Sequence, residues 1–319
     1  MNAMNHLLTS SQTAAHLPWP ALVDELQALL RDSTVRVPPR IILPTADGAS
    51  LFAMPGCDAR VAMTKLITFT PANVGTGTPT IQGDVTVFDV ASGTRQLVMD
   101  GPTVTARRTA AVSALAARWL SPKLTGPMLV VGAGVQGRAH VEVFATALGV
   151  RHFKVHSRSR ASAEALTNHA RSLSAETAIT AEVVGDANAV LADCPLAAVC
   201  TPAQEVALRA LPRTDAFITA VGAFTPQMVE LDAALCRHLA AQGRIVLDTR
   251  DAEHEAGDLI QASIDMTPLP TLQDIVRDPL DTKPSGPVLF KNCGWAGWDL
   301  AAARLALRCA EAEREAAKT

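Results

Sequence analysis

Three glycines, Gly132, Gly134 and Gly137, lie between an apolar run and a polar, helix-permissive one in the stretch MLVVGAGVQGRAH, Met128 to His140. The spacing has a mechanical meaning. The first glycine allows a tight turn after a strand, the second lets a pyrophosphate approach the backbone, and the third lets helix and strand pack closely. Amides at the start of the following helix, at Val135 and Gln136, then face the phosphates. Glycine-rich turns of other α/β proteins share this spacing; the strand, helix and strand around it are what point to a dinucleotide.

The second strand bears on which dinucleotide. NAD-binding domains usually end this strand on an acid about 20 residues past the glycines, placed for the ribose hydroxyls. Here the sequence reads VHSRSR, Val155 to Arg160, without a carboxylate. Ser157, Arg158 and Arg160 offer donors and positive charge that suit the extra phosphate of NADP(H). The competing reading is solvated surface arginines; with the acid missing, NADPH is expected ahead of NADH.

Cations in apolar registers form the second group. Arg108 shares a helical face with Val104, Val112, Leu115 and Trp119, an odd place for a guanidinium and one where the helix dipole disfavours it. Its anionic partner is either a substrate carboxylate held bidentately or an Asp or Glu distant in sequence. Lys65 alternates with Met63, Ile67 and Phe69. It either snorkels at an edge or, if enclosed, has a pKa low enough for proton transfer. Arg40 opens the apolar run of PPRIILP. Together the three would make a site for a small anion.

The elements that must position these groups divide the chain in two. After a helix expected at Trp19–Leu30, strands are expected in RIILP, ARVAMTKLITFTP, TIQGDVTVFDV and TRQLVMD, the last two joined by a turn at Ala91-Ser92-Gly93. A helix follows over Val104–Trp119. Strand and helix then alternate, with strands at Met128–Val131, His152–His156, Ile179–Val183, Leu196–Cys200, Ala216–Thr219 and Arg244–Leu247 and helices at Val135–Leu148 and Arg160–Leu173. Such alternation implies a parallel sheet covered on both faces. A linker is expected over Asp278–Pro287 and an alanine-rich helix over Ala296–Lys318. The expected fold is α/β, a Rossmann-type doubly wound sheet at 122–287 plus a β-rich domain from 1–121 and 288–319.

Whole-chain properties exclude several classes. A chain of 319 residues calls for two domains. A net charge of -3 offers no basic excess to attract nucleic acid or an anionic membrane. Six scattered cysteines show neither zinc nor disulfide spacing, and no metal is expected. No secretory signal or membrane-length apolar run is seen, so the cytoplasm is the expected location.

Longer motifs carry a resemblance. FDVASGTRQLVMDGPTVTARRTAAVSALAA, Phe88 to Ala117, is similar to the signature of the ornithine cyclodeaminase/μ-crystallin family. The likeness continues through VVGAGVQGRAH, ITAVGAFTPQMVELD (Ile218–Asp232) and LFKNCGWAGWDLAAA (Leu289–Ala303), covering nearly the whole chain in order. The resemblance implies a Rossmann domain, a β-rich domain for substrate binding and dimerisation to which the last helix returns, and a homodimer. It implies that Arg40, Lys65 and Arg108 hold a substrate carboxylate, that Lys65 also moves a proton, and that Thr201, Val221 and Gly222 lie beside the nicotinamide and its ribose.

One departure selects a branch of that family. Ornithine cyclodeaminases carry an aspartate in a V-G-x-D-x-P loop, where this chain has Val221-Gly222-Ala223-Phe224-Thr225-Pro226. A phenyl ring cannot accept a proton or bind an ammonium as a carboxylate can. It can form an apolar wall over a ring, which fits the ketimine reductases that reduce Δ1-pyrroline-2-carboxylate or Δ1-piperideine-2-carboxylate to the L-imino acid. Ornithine cyclodeaminase, alanine dehydrogenase and a non-catalytic binding protein are the alternatives. Glu230, Asp232, His140 and His156 are expected to be structural.

Overall fold

The computed structural model describes residues 6–73, 76–174, 177–278 and 285–318. Residues 279–284 of the expected linker lie outside them. Two compact units result, residues 1–108 with 296–319 and residues 109–295.

The first unit is built on a six-stranded sheet: β1 (His6–Leu7), β2 (Ile41–Pro44), β3 (Ser50–Cys57), β4 (Val61–Phe69), β5 (Ile81–Asp89) and β6 (Arg95–Asp100), in the order β1-β6-β5-β4-β3-β2. All neighbours are antiparallel except β1 and β6. β3 escapes sequence reading because Pro55-Gly56 looks like a turn. Pro55 is tolerated because β2 pairs with Ser50–Ala53 and Arg36 with Cys57, so neither pairing asks for its missing N–H. Alternation in β4 buries Val61, Met63, Lys65 and Ile67 on one face. The last helix, Ala296–Ala316, packs against β3, β4 and β5 and against the helix Trp19–Arg31. Arg304 ties these parts together through Glu25, Asp32 and Asp58, at 2.7, 3.0 and 3.3 Å.

The second unit holds an all-parallel seven-stranded sheet: β7 (Pro127–Val131), β8 (His152–His156), β9 (Thr180–Val183), β10 (Leu196–Val199), β11 (Phe217–Ala220), β12 (Arg244–Leu247) and β13 (Val288–Lys291). Its order, β12-β13-β11-β10-β7-β8-β9, reverses direction beside β7. That reversal is the topological switch point at which doubly wound sheets bind nucleotides, beyond the carboxyl ends of the strands. The fully buried strands are near-continuous apolar runs, as a sheet covered on both faces requires.

The boundaries differ from the sequence expectation at both ends. Residues 288–295 belong with the parallel sheet, because β13 inserts between β11 and β12. The other boundary falls inside the helix Gly101–Leu120, after Arg108. Its later half is bound into the second unit: Asn292 Nδ2 donates to the Thr109 carbonyl at 3.3 Å, and Ser113 Oγ lies 2.9 Å from Thr219 Oγ1 and 3.0 Å from His140 Nε2. His140 Nδ1 donates to the Gln136 carbonyl at 2.8 Å. Burial pushes the imidazole pKa down to about 4, so His140 is neutral and Nε2 accepts from Ser113.

Candidate active site

In the first unit, β4 and two helices enclose a cluster of charge. Lys65 is 1% exposed and Asp299, in the first turn of the last helix, is 0% exposed. The lysine Nζ donates to Asp299 Oδ1 at 3.0 Å and Oδ2 at 2.9 Å, with a weaker contact of 3.5 Å to Thr105 Oγ1. Arg108 Nε stands 3.3 Å from Asp299 Oδ1 as an ion pair. Its Nε and Nη1 are buried without a hydrogen-bond partner among the described residues. Arg40, half-buried just before β2, acts on Lys65 through its charge. Burial, opposed by Asp299 and reinforced by Arg108 and Arg40, pulls the Lys65 pKa down to about 8.

Among the described residues, Lys65 and Arg108 therefore both pair with the one carboxylate of Asp299. Orphaned buried donors cost about 1–3 kcal/mol each, and a second carboxylate would satisfy the Arg108 guanidinium that shares Asp299 with Lys65. The neighbouring arginine serves another purpose: Arg107 donates to the Leu17 carbonyl at 2.9 Å and stacks 3.8 Å over the ring of Trp19.

In the second unit, the predicted nucleotide residues gather at the carboxyl edge of the parallel sheet. Gly132 has a φ of 108°, which favours glycine. A Cβ on Gly137 would lie 2.0 Å from the Gly132 carbonyl oxygen. Gly134 precedes the helix Val135–Ala147, which no side chain caps, and a Cβ there would meet nothing within 4 Å. Val135 stands 70% exposed, and the Gln136 side-chain oxygen is buried without a partner among the described residues. This open cradle of uncapped amides fits a pyrophosphate. Ser157, Arg158 and Arg160 follow β8 directly. Arg158 makes an exposed pair with Glu205 at 3.4 Å, and Arg160 one with Glu164 at 2.8 Å; such pairs are weak enough to exchange for a ligand phosphate.

The segments after β10 and β11 are tied by one buried carboxylate. Glu230 accepts the Gly222 amide at 2.7 Å on Oε1, and the amide and hydroxyl of Thr201 at 3.2 and 3.0 Å on Oε2. Beneath it Asp258 accepts the Glu230 and Leu231 amides at 2.6 and 2.9 Å and the Lys291 ammonium at 2.7 Å. Two buried acids share one lysine, and burial pushes the Glu230 pKa up to about 7. Asp232 caps the helix Ala233–Gln242. Val221 is buried, and Phe224 is half-buried against the core of this unit.

Sequence reasoning missed Asp299, Asp258 and Lys291, and gave Glu230 no specific task. The available signal for Asp299 was a lone carboxylate in the apolar stretch AGWDLAAA, which could be buried only with a cation. Among the described residues no cluster of His, Cys, Asp and Glu could hold a metal ion, and no helix is long and apolar enough to cross a membrane.

Fold and site define a Rossmann-type α/β protein with a second, β-rich unit built around a buried cation cluster. The chain belongs to the ornithine cyclodeaminase/mu-crystallin family, which it matches over residues 4–313. It is 34% identical over 310 residues to Delta(1)-pyrroline-2-carboxylate reductase 2 of Burkholderia ambifaria, with 96% of each chain covered. It is also 34% identical over 308 residues to the Delta(1)-pyrroline-2-carboxylate/Delta(1)-piperideine-2-carboxylate reductase of Azospirillum brasilense, again covering 96% of each. The solved Delta(1)-pyrroline-2-carboxylate reductase of Thermococcus litoralis, in complex with NADH and L-proline, superposes with a TM-score of 0.87 at 22% identity, covering 97% of this chain and 98% of that one.

Proposed function

We propose that this protein is an NADPH-dependent ketimine reductase that converts Δ1-pyrroline-2-carboxylate to L-proline and Δ1-piperideine-2-carboxylate to L-pipecolate. The observation that carries the reading is the Arg108 guanidinium, buried beside the Lys65 ammonium with Nε and Nη1 lacking a hydrogen-bond partner among the described residues. A substrate carboxylate fills those donors, and the ring nitrogen of the same small molecule can then meet the lysine. The reductase relatives at 34% identity support the same chemistry.

Arg108 and Arg40 hold the carboxylate and fix which ring atom faces Lys65. Lys65 keeps the imine nitrogen protonated: an Nζ–H bond breaks, its electron pair stays on Nζ, and the ring nitrogen uses its lone pair to take the proton. The iminium is a far better acceptor than the neutral imine. A reduced nicotinamide, when bound, supplies the hydride to C2. Gly132, Gly134 and Gly137 with the amides of Val135 and Gln136 would hold its pyrophosphate, and Thr201, Val221 and Gly222 its nicotinamide end. Phe224 forms an apolar wall for the ring in place of the acid a cyclodeaminase needs.

Ser157, Arg158 and Arg160 favour the phosphorylated cofactor, with NADH as a second donor. The working form is a homodimer. Edge strand β2 exposes Ile41 at 62% and Leu43 at 57%, and Leu66, in register with Ile41 through Ala53, is 48% exposed on the same outer face. Such a strip on an open edge is a surface for a second copy. Six free thiols suit a cytoplasmic location.

The test follows absorbance of NADPH, then NADH, on mixing the protein with Δ1-pyrroline-2-carboxylate, beside an ornithine sample assayed for ammonia. Rapid cofactor oxidation with no ammonia is expected. Ammonia and proline from ornithine, with no oxidation, would replace this reading by the cyclodeaminase.

A further inference from the structure

Asp299 pairs with both Lys65 and Arg108, yet proton and hydride transfer to the imine give it no step. Its carboxylate is 0% exposed, lies in the first turn of a helix where the dipole favours negative charge, and reaches Lys65 with both oxygens at 3.0 and 2.9 Å. An ammonium has three N–H bonds. Two point at Asp299, and among the described residues the third has the weaker 3.5 Å contact with Thr105 Oγ1.

We infer that Asp299 is a positioning residue that clamps two of the three N–H bonds of Lys65, leaves the third free for transfer to substrate, and keeps the lysine charged among the surrounding cations. The inference deepens the reading of Lys65 as proton donor and rests on it. The groups facing Lys65 are Asp299 from the last helix, Arg108 and Thr105 from the helix Gly101–Leu120, and Arg40 from the segment before β2. Of these charged groups, Asp299 favours the ammonium, whereas Arg108 and Arg40 oppose it. Through the transfer Asp299 stays a carboxylate; the neutral amine left behind is held by the same two oxygens until it takes a proton from water.

The same ion pair also fastens the last helix to β4, so a purely structural role predicts something different. Removing a structural staple lowers stability and depresses activity equally at every pH. Removing the charge that holds the lysine protonated shifts the lysine's titration.

The experiment reads that titration directly. Competitive acetylation of the full chain with acetic anhydride across pH, with Lys65 quantified by mass spectrometry, reports its protonation independently of turnover. The midpoint is expected near the value of about 8 in the parent protein and about 1–3 units lower in Asp299→Asn. The alkaline limb of kcat/KM for imine reduction should move with it, so that most of the lost activity returns at lower pH. An unmoved midpoint overturns the inference. Asp299→Glu, which keeps the charge on a longer stem, is the second arm. It should leave the midpoint close to that of the parent while lowering kcat several-fold; unaltered kcat would show that the clamp geometry is immaterial, and would decide the matter if the Asn variant failed to fold. A parent protein without imine reduction, but with the shifted lysine midpoint, would refute the proposed activity and leave the Asp299–Lys65 coupling standing.

Discussion

Gly137 stands so close to Gly132 that a Cβ on the later residue would lie 2.0 Å from the carbonyl oxygen of the earlier one, whereas a Cβ on Gly134 would meet no protein atom within 4 Å. The two glycines thus serve different ends, one packing and the other access. Gly137→Ala should destabilise the second unit by several kcal/mol, on the order of other overpacked sites. Gly134→Ala, at a φ of -84° that alanine adopts freely, should leave the melting temperature nearly unchanged and weaken NADPH binding about tenfold or more, a loss of about 1.4 kcal/mol or greater. Thermal melts beside fluorescence titrations of NADPH check both. Equal effects of the two substitutions on binding and stability would contradict the division.

Lys65→Ala should lower kcat for imine reduction by about 10²–10⁴-fold, the range for a positioned proton donor. The dissociation constant for NADPH should stay close to that of the parent. In the parent protein the reduction rate should be level at neutral pH and fall as pH rises through about 8, where Lys65 loses its proton. Steady-state rates across pH, with cofactor affinity measured separately, test the assignment; turnover close to that of the parent in the alanine variant excludes it.

Arg158 is 71% exposed and, among the described residues, pairs with exposed Glu205 alone. Arg158→Ala should therefore spare stability and raise the Michaelis constant for NADPH about tenfold, the worth of one charge-assisted hydrogen bond. The constant for NADH should change little. Equal changes for both cofactors would remove the arginine from phosphate recognition.

Leu66 and Ile41 face outward in register on the first sheet. If the strip is the proposed dimer contact, the parent should run as a dimer in light scattering at micromolar concentration and Leu66→Glu as a monomer, because a buried unpaired charge outweighs the contact it replaces. A dimer of undiminished mass would place the interface elsewhere.

What could be read from sequence was whatever local periodicity records. Lys65 and Arg108 stood out because each set a charge into an apolar register, and both are buried. The same periodicity separated Arg108 from Arg107, which turns to Trp19 instead. Asp299 was invisible as their partner, since 234 residues separate it from Lys65 and only the return of the last helix joins them. β13 was hidden for a related reason: the short run Val288–Lys291 becomes a strand because β11 and β12 leave a place between them. The Thr201 and Gly222 segments were found through the family likeness, but the Glu230 carboxylate that binds them together is a tertiary fact.

Glu230 and His140, both in the second unit, make opposite contributions to stability over one pH range. The Glu230 pKa is raised from 4.5 to about 7 in the folded chain, so its contribution is fully present below about 4.5 and is lost as pH rises through about 7. The His140 pKa is lowered from 6.5 to about 4, so its contribution is present above 6.5 and is lost as pH falls through about 4. Between these limits the two slopes offset each other, and each substitution should expose the other. Glu230→Gln keeps an acceptor but cannot titrate; relative to the parent, its melting temperature should fall more steeply from pH 7 toward pH 5, as His140 is left to take up its proton on unfolding. His140→Gln should show the reverse, losing stability toward pH 7. Melting curves of the three proteins at several pH values decide it, and parallel pH profiles for all three would mean that neither group titrates as its burial dictates.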